Sequence, residues 1–167
     1  LFIFDFSGVR AAGVPIAGQQ GRPASGPVPF IHALVQLLTI RGAGLKPWKQ
    51  AMFVDHYLAA CVAVGGVRRA ARLAARTWTE HDIFDFVEIK RGGFLTSANN
   101  SVMLDDVFWE QARSPLPTHG RRVFEAMTSA GYFDGTGEPG FVNAHLMSWC
   151  ADGVEDLKID TLFDPAV

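Results

Sequence analysis

The sequence predicts an α/β fold, in which helices alternate with short strands along the chain. Its 167 residues are 49% apolar and carry a net charge of −2, a composition typical of a chain that buries a hydrophobic core. Segments whose apolar residues recur at helical spacing are separated by short apolar runs with the character of strands. Gly and Pro cluster between these segments, as expected of turns and loops. Such an alternation favours an α/β layout.

The first half of the chain is predicted to contain one strand, one long loop and two helices. Phe2–Phe6 alternates loosely between apolar residues and others, which predicts a buried strand. Ser7–Pro29 contains so many Gly and Pro residues that we expect an ordered or ligand-ordered loop without regular structure. The spacing of apolar residues predicts helices over Phe30–Ile40 and Pro47–Val62. Gly residues follow both helices and end them.

The second half is predicted to alternate strands with helices. The elements, in chain order, are strand Arg72–Thr77, helix Glu80–Lys90, strand Ser101–Leu104, a helix from Asp105 to Ala112, helix Arg121–Ala130 and a strand that begins at Phe141. We expect Thr79 to cap the first of these helices and Asp105 the second, because both side chains accept hydrogen bonds from a first helical turn. Residues 1–143 are predicted to form the folded segment, and residues 144–167 a polar, irregular tail.

Composition and spacing argue against several classes of protein. The longest apolar run, Tyr57–Val67, is interrupted by Gly65 and Gly66 and falls short of the ~20 residues that span a membrane. Lys and Arg (15) do not outnumber Asp and Glu (17), so we expect no electrostatic binding of nucleic acid. Cys61 and Cys150 lie far apart and no His pair has metal-ligand spacing. We therefore expect no metal site, and reduced cysteines in a cytoplasmic protein.

Charge and hydropathy predict that the chain is a segment of a larger protein. Charged residues make up 19% of the chain, below the ~25% of ordinary soluble domains. The mean hydropathy is positive, at +0.14. The chain opens at Leu1 on apolar residues, without the charged region of a signal peptide. A part of an α/β fold exposes strand edges and surfaces that missing strands would cover.

The segment Val64-Gly65-Gly66-Val67-Arg68-Arg69 is the first candidate binding site. Two glycines allow positive φ and a close approach of the backbone to a ligand. Two arginines supply planar sets of donors suited to phosphates or base edges. A helix C-cap at Gly65 followed by surface arginines explains the same residues, and on the residues alone this structural interpretation is favoured.

The segment Ser7-Gly8-Val9-Arg10, at the start of the Gly-rich loop, is the second candidate. Loops of this kind fold around anions with their backbone N–H groups pointing inward, and Arg10 would add positive charge. The segment matches neither a P-loop nor a dinucleotide-binding fingerprint. A long solvated connection is an equally good interpretation.

Two further motifs are interpreted as structural. Asn99 and Asn100 could bind a ligand, but Asx turns that lead into a strand are favoured. Glu138, in the G-E-P-G sequence of residues 137–140, could act as a base, but a turn whose carboxylate pairs with an arginine is favoured. No Ser/His/Asp or Cys/His arrangement can be assembled, so no catalytic residue is predicted.

Five motifs form a series along the chain. They are Phe4–Ile16, Ala24–Pro29, Val64–Ala71, Ser97–Val102 and Gly137–Asn143. In this order and spacing they resemble the catalytic subunit of ribonucleotide reductase, over roughly residues 2–143. The series looks closest to the class II, adenosylcobalamin-dependent type, in its triphosphate-type monomeric branch.

The resemblance implies a ten-stranded α/β barrel around a loop with a thiyl-radical cysteine, of which this chain would be an incomplete part. Val64–Arg69 matches the specificity loop between a deoxynucleotide effector and the ribonucleotide substrate, and Ser7–Gly26 includes the other effector loop. The implied effector- and substrate-binding residues are Ser7, Gly8, Arg10, Gly65, Gly66, Val67, Arg68 and Arg69. The parent enzyme would convert ribonucleotides to 2′-deoxyribonucleotides by thiyl-radical chemistry, with adenosylcobalamin as the radical source.

The chain departs from the family in its catalytic machinery. The N-P-C-x-E motif of the radical cysteine is absent, and Cys61 and Cys150 do not match the reducing cysteine pair. We therefore expect the chain alone to be inactive and to require the remainder of the reductase polypeptide. Two alternatives stay open: a non-catalytic nucleotide-binding or assembly piece of a split reductase, and a fragment of a class I reductase.

Overall fold

The computed structural model describes residues 3–19, 21–63 and 72–144, which form a mixed α/β fold as predicted. The chain divides into two compact units. The first, here called the helical unit, comprises Leu1–Arg72 and Leu95–Ala98. The second, the sheet unit, comprises Leu73–Phe94 and Asn99–Val167.

The helical unit contains a short hairpin and two helices. Strands β1 (Pro15–Ile16) and β2 (Arg22–Pro23) pair antiparallel. Helix α1 (Val28–Gly42) has proline in its first turn, and α2 (Pro47–Ala63) begins at a proline. The two helices pack together. Their buried side chains are Ala33, Ile40, Met52, Ala59 and Cys61.

The sheet unit is built on three parallel strands in the order β3-β4-β5. These are β3 (Leu73–Thr77), β4 (Asn99–Leu104) and β5 (Gly140–Asn143). Helix α3 (Ile83–Val87) connects β3 to β4, while α4 (Asp106–Arg113) and α5 (His119–Thr128) connect β4 to β5. A π-helical turn, Ser129–Phe133, follows α5. The two strands of each parallel pair are therefore connected by a crossover that contains helix.

All three helices of the sheet unit contact the same face of the sheet. The register aligns Arg76 with Val102 and Val102 with Phe141, so these side chains share one face, here called the helix-covered face. On it, Asn100 Nδ2 donates to the carbonyl oxygen of Phe86 in α3 at 3.3 Å. The rings of Trp109 in α4 and Phe124 in α5 lie 6.5 and 6.4 Å from that of Phe141.

The core of the sheet unit lies between this face and the helices. Its fully buried large side chains are Ile83, Phe86, Val87, Val102, Leu104, Phe108, Val123 and Met127. Burying a large aliphatic or aromatic side chain contributes roughly 1.5–3 kcal/mol, so this layer is a principal source of the unit's stability.

Most predicted helices and strands are confirmed. The two long helices and the strands β3, β4 and β5 lie within a few residues of their predicted positions. Asp105 caps α4 as predicted, because its Oδ1 accepts a hydrogen bond from the N–H of Phe108 at 2.7 Å. Helix α5 begins two residues earlier than predicted, with Thr118 as its cap.

The predicted strand Phe2–Phe6 is wrong for its described part. Residues 3–6 have no regular structure, and Ile3 is 86% exposed. The N–H of Ser7 donates to Asp5 Oδ1 at 2.8 Å, a local turn that takes the place of pairing with another strand. The loop prediction for Ser7–Pro29 needs a smaller correction, since it contains the β1–β2 hairpin.

The predicted helix Glu80–Lys90 is also wrong in its extent, since only Ile83–Val87 is helical. Thr79 is not its cap: the hydroxyl of Thr79 lies 3.0 Å from that of Thr77. The carboxylates of Glu80 and Asp82 pair instead with Arg76 of β3. These ion pairs hold the chain in a turn after β3 and delay the start of the helix.

The described residues contain three parallel strands, so the ten-stranded barrel stays a prediction. Of the predicted tail, 144–167, all but Ala144 lies outside the described residues. Within the described part of the chain, no helix is both long and apolar enough to cross a membrane.

Gly120 lies where α5 packs against α4, and we expect a larger side chain at this position to destabilise the fold. A Cβ atom there would lie 2.7 Å from Gln111 Cβ, and the N–H of Gly120 donates to Gln111 Oε1 at 2.9 Å. We expect Gly120→Ala to lower the free energy of unfolding by about 1–3 kcal/mol, because the added methyl overpacks the crossing. Urea unfolding measures the change.

Gly42→Ala is the matched control, because a Cβ at this helical glycine has open space around it. We expect that variant to be neutral or slightly stabilising. Equal effects of the two substitutions would contradict the packing described for Gly120.

Candidate functional site

The second candidate segment, which starts at Ser7 and ends at Arg10, lies in the helical unit. Ser7, Gly8 and Arg10 are all exposed. The N–H of Val9 donates to the carbonyl oxygen of Phe6 at 2.9 Å, which closes a turn. The N–H of Ser7 is bonded to the carboxylate of Asp5, and this bond holds the pKa of Asp5 below its usual value. One amide expected to bind an anion thus already binds a carboxylate, while the guanidinium of Arg10 is exposed.

The rest of the Gly-rich loop is ordered by its own hydrogen bonds. The N–H of Gly13 donates to the carbonyl oxygen of Ala24 at 3.0 Å, and the N–H of Ala24 donates to that of Val14 at 2.9 Å. Gly26 has φ +75°, and a Cβ there would lie 2.9 Å from Ala12. Glycine is required at this position by both conformation and space. The loop therefore has a defined shape before it enters α1.

The first candidate segment is Val64–Arg69. Gly65, Gly66, Val67, Arg68 and Arg69 lie outside the described residues. Helix α2 extends to Ala63, so the segment follows that helix almost directly, as the sequence predicts.

A cavity of about 350 Å³ lies between α1 and α2 within the helical unit. Its lining residues are Pro29, His32, Ala33, Gln36, Tyr57, Ala60 and Cys61. The Cys61 thiol lies 3.2 Å from the carbonyl oxygen of Tyr57 and 3.3 Å from that of Pro29. Burial raises the pKa of the Cys61 thiol, which disfavours the reactive thiolate. This agrees with leaving Cys61 without a catalytic assignment; Cys150 lies outside the described residues.

The G-E-P-G turn leads into β5 and contacts the amino end of β4 through Glu138. Glu138 Oε2 accepts a hydrogen bond from the N–H of Asn100 at 3.1 Å and forms an ion pair with Lys90. The predicted partner was an arginine, so the structural interpretation holds but the cation is a lysine. The Asx turns predicted for Asn99 and Asn100 are wrong, because both residues lie within β4. Asn100 is 1% exposed and has a structural role through the bond from its Nδ2 to the carbonyl oxygen of Phe86. Lys90 is 48 residues from Glu138 in the chain, and no local pattern links the two.

The face of the sheet opposite the helix-covered face carries small and polar side chains together with three larger apolar ones. They are Leu73, Ala75, Thr77, Asn99, Ser101, Met103, Gly140 and Val142. A Cβ at Gly140 would lie 2.9 Å from Ser101 Oγ, so a larger residue where β5 meets β4 would require the Ser101 side chain to shift. Leu73 is 63% exposed. Parallel sheets are ordinarily covered on both faces, so this face is suited to contact further polypeptide.

A serine–histidine pair was missed by the sequence analysis. Ser97 Oγ lies 2.6 Å from His56 Nδ1, although the residues are 41 positions apart. Ser97 Oγ also donates to the carbonyl oxygen of His56 at 3.2 Å. Among the residues that the structure describes, no group of three or more His, Cys, Asp or Glu side chains is suited to hold a metal ion.

Comparison with known proteins gives one informative relative. No family model matches the chain. A protein of Mycobacterium phage D29, provisionally named adenosylcobalamin-dependent ribonucleoside-triphosphate reductase, is 34% identical over 164 residues. The match covers 86% of this chain but 23% of the relative's length, so the chain spans less than a quarter of that protein. The chain is thus similar to a segment of a protein named as a ribonucleotide reductase.

The Glu138–Lys90 pair predicts a marked effect of removing one charge. Lys90 is 10% exposed and Glu138 21%. We expect Lys90→Met to lower the free energy of unfolding by about 2–4 kcal/mol, because it leaves a half-buried carboxylate without its cation. Lys90→Met combined with Glu138→Gln should recover part of this loss. Urea unfolding of the single and double variants measures both effects.

Arg91→Met is the control, because Arg91 also pairs with carboxylates but is 49% exposed. Exposed ion pairs contribute about 0–1 kcal/mol, so the control should change little. A loss for Lys90→Met no greater than that of the control would show that the Glu138 carboxylate does not depend on Lys90.

Proposed function

We propose that this chain is a segment of a ribonucleotide reductase catalytic subunit. It would supply the deoxynucleotide-effector and substrate-specificity loops together with several barrel strands, while the radical and reducing cysteines lie on other sequence. The observation that carries the proposal is the 34% identity to the phage protein, aligned over 86% of this chain. The order of the sequence motifs supports it independently.

The architecture of the sheet unit supports a barrel origin. Doubly wound sheets carry helices on both faces, whereas closed α/β barrels carry them on the outer face and fill the interior with side chains and loops. Here α3, α4 and α5 all contact the helix-covered face. The opposite face, with exposed Leu73, then corresponds to the interior of an incomplete ten-stranded barrel.

The effector is expected to bind through arginines more than through backbone amides. The N–H of Ser7 is occupied by Asp5, whereas the side chain of Arg10 is exposed. Arg68 and Arg69 add two further guanidinium groups, in a segment whose Gly65 and Gly66 allow close approach of a ligand. We assign the phosphates of a deoxynucleotide to these arginines, and the ribonucleotide substrate to the far side of the same loop.

Adenosylcobalamin is the cofactor in the name of the phage relative, and it would supply the radical in the parent enzyme. The cavity between α1 and α2, of about 350 Å³, has the size of a site for a drug-sized ligand. A corrinoid is larger, so this cavity does not fit it. We therefore assign no residue of this chain to the cofactor, whose site belongs to the rest of the parent protein.

A second candidate is a non-catalytic nucleotide-binding piece of a split reductase. One observation is compatible with both candidates: Cys61, the one cysteine among residues 3–19, 21–63 and 72–144, is buried and its thiol pKa is raised. In both proposals this chain binds a nucleotide and performs no turnover by itself. A class I parent would differ in the radical source.

Nucleotide binding tests the proposal directly. We expect the chain to bind deoxynucleoside triphosphates, measured by isothermal titration calorimetry with each of the four nucleotides. Arg68→Ala combined with Arg69→Ala should weaken binding by about tenfold or more, because two charge-assisted contacts to phosphate are lost.

Arg122→Ala is the matched control, because Arg122 is exposed on α5, outside the predicted effector loops. It should leave the affinity unchanged. Absence of binding to all four nucleotides, or equal loss in the control, would contradict the assignment of the effector loops.

The absence of the radical motif predicts that the chain alone has no reductase activity. With ribonucleoside triphosphates, adenosylcobalamin and a dithiol reductant, we expect no deoxynucleotide above the level of a protein-free control. Chromatographic quantification of deoxynucleotides measures this. Formation of product by the isolated chain would show that it holds a radical cysteine after all.

A further inference from the structure

We propose that His56 and Ser97 form a latch, a pair of hydrogen bonds that couples helix α2 to the start of strand β4. The inference rests on the proposed function for its biological role, since the candidate effector segment Gly65–Arg69 follows α2 in the chain. The latch would transmit the nucleotide-bound state of that segment to the parallel sheet.

The geometry of the pair is that of a double hydrogen bond. Ser97 Oγ lies 2.6 Å from His56 Nδ1 and 3.2 Å from the carbonyl oxygen of His56. Both contacts are satisfied at once when Nδ1–H donates to Oγ and the Ser97 hydroxyl donates to the carbonyl. The side chain of Ser97 is thereby bonded to both the ring and the backbone carbonyl of His56.

The turn that carries Ser97 is held in a conformation that it would not adopt alone. Leu95 has φ +64°, the left-handed region that is unfavourable for a branched side chain, and it is fully buried. Such backbone strain persists only where the surroundings determine the conformation. Leu95–Ala98 belongs to the helical unit, although the residues on both sides of it belong to the sheet unit.

The connectivity makes this turn a coupling element. Ala98 is followed directly by Asn99, the first residue of β4, and β4 pairs with both β3 and β5. On the other side, His56 lies two helical turns before the end of α2 at Ala63. A shift of the last turns of α2 is therefore carried by the latch to the central strand of the sheet.

Hydrogen exchange of backbone amides, followed by mass spectrometry on the full chain without ligand, tests the latch. We expect Ser97→Ala to raise exchange in residues 56–63 and in residues 99–101 together, by about fivefold, the effect of losing one net hydrogen bond. Ser97→Thr keeps the hydroxyl and should restore exchange to within about twofold of the unmodified chain by the same reasoning.

Ser114→Ala is the matched control, because its hydroxyl accepts a bond from the N–H of Leu116 on the sheet unit. It should leave both segments unchanged. Faster exchange confined to residues 95–101, with residues 56–63 unaffected, would overturn the proposal. So would an undiminished effect of Ser97→Ala in a His56→Ala background, because a latch requires both partners.

A measurement on the unmodified chain needs no variant. The ¹⁵N spectrum of the His56 ring should show a protonated Nδ1 whose hydrogen exchanges slowly. A rapidly exchanging Nδ1 hydrogen would contradict the double hydrogen bond.

Addition of saturating dATP, dGTP, dCTP or dTTP separates the latch from the proposed function. A bound nucleotide should protect residues 56–63 and 99–101 in the unmodified chain, but only residues 56–63 in Ser97→Ala. Protection of both segments in Ser97→Ala would overturn the latch. Absence of protection by all four nucleotides would contradict the proposed function. The exchange measured without nucleotide would still test whether Ser97 and His56 form the latch.

Discussion

The pairing of β4 with a parallel strand on each side is the constraint on which the sheet unit depends. Parallel strands cannot be joined by a tight turn, so each pairing needs a helical crossover. Asn100 of β4 is bonded to both crossovers: its side-chain amide donates to Phe86 of α3, and its N–H donates to Glu138 before β5. Lys90, which follows α3 in the first crossover, neutralises the same carboxylate. One buried residue of the central strand thus ties together the elements that build the sheet.

This arrangement explains why the sheet has two unlike faces. Crossovers of the same hand between neighbouring strands place their helices on one side. The helix-covered face carries the buried Val102 and Leu104, while the opposite face carries mostly small and polar side chains and an exposed Leu73. A charged fraction of 19% fits a chain whose remaining surface contacts further polypeptide. The proposed barrel would supply that cover, so the fold and the similarity to the phage protein support the same proposal.

Local signals in the sequence predicted most of the fold, and long-range contacts account for the failures. Asp105 caps α4 by accepting a hydrogen bond from the N–H of Phe108, three residues along the chain. A sequence pattern can reveal a contact as local as this one. Thr79 failed as a cap because Arg76 binds the carboxylates of Glu80 and Asp82, a tertiary effect that outweighs helix propensity. Ser97 and His56 are far apart in sequence, and so are the residues of α1 and α2 that line the cavity. No spacing rule could therefore find either feature. Arg10 is exposed, and its role in effector binding stays a prediction.

The central claim, that this chain is a segment of a reductase barrel, is tested most directly by sequencing the coding DNA on both sides of it. The account predicts an open reading frame that continues upstream to a cysteine-containing strand and downstream to an N-P-C-x-E motif. It also accepts a separate neighbouring frame that encodes these motifs, which would identify a split reductase. A start codon before Leu1 and a stop codon after Val167, with no such motifs encoded elsewhere in the genome, would contradict it.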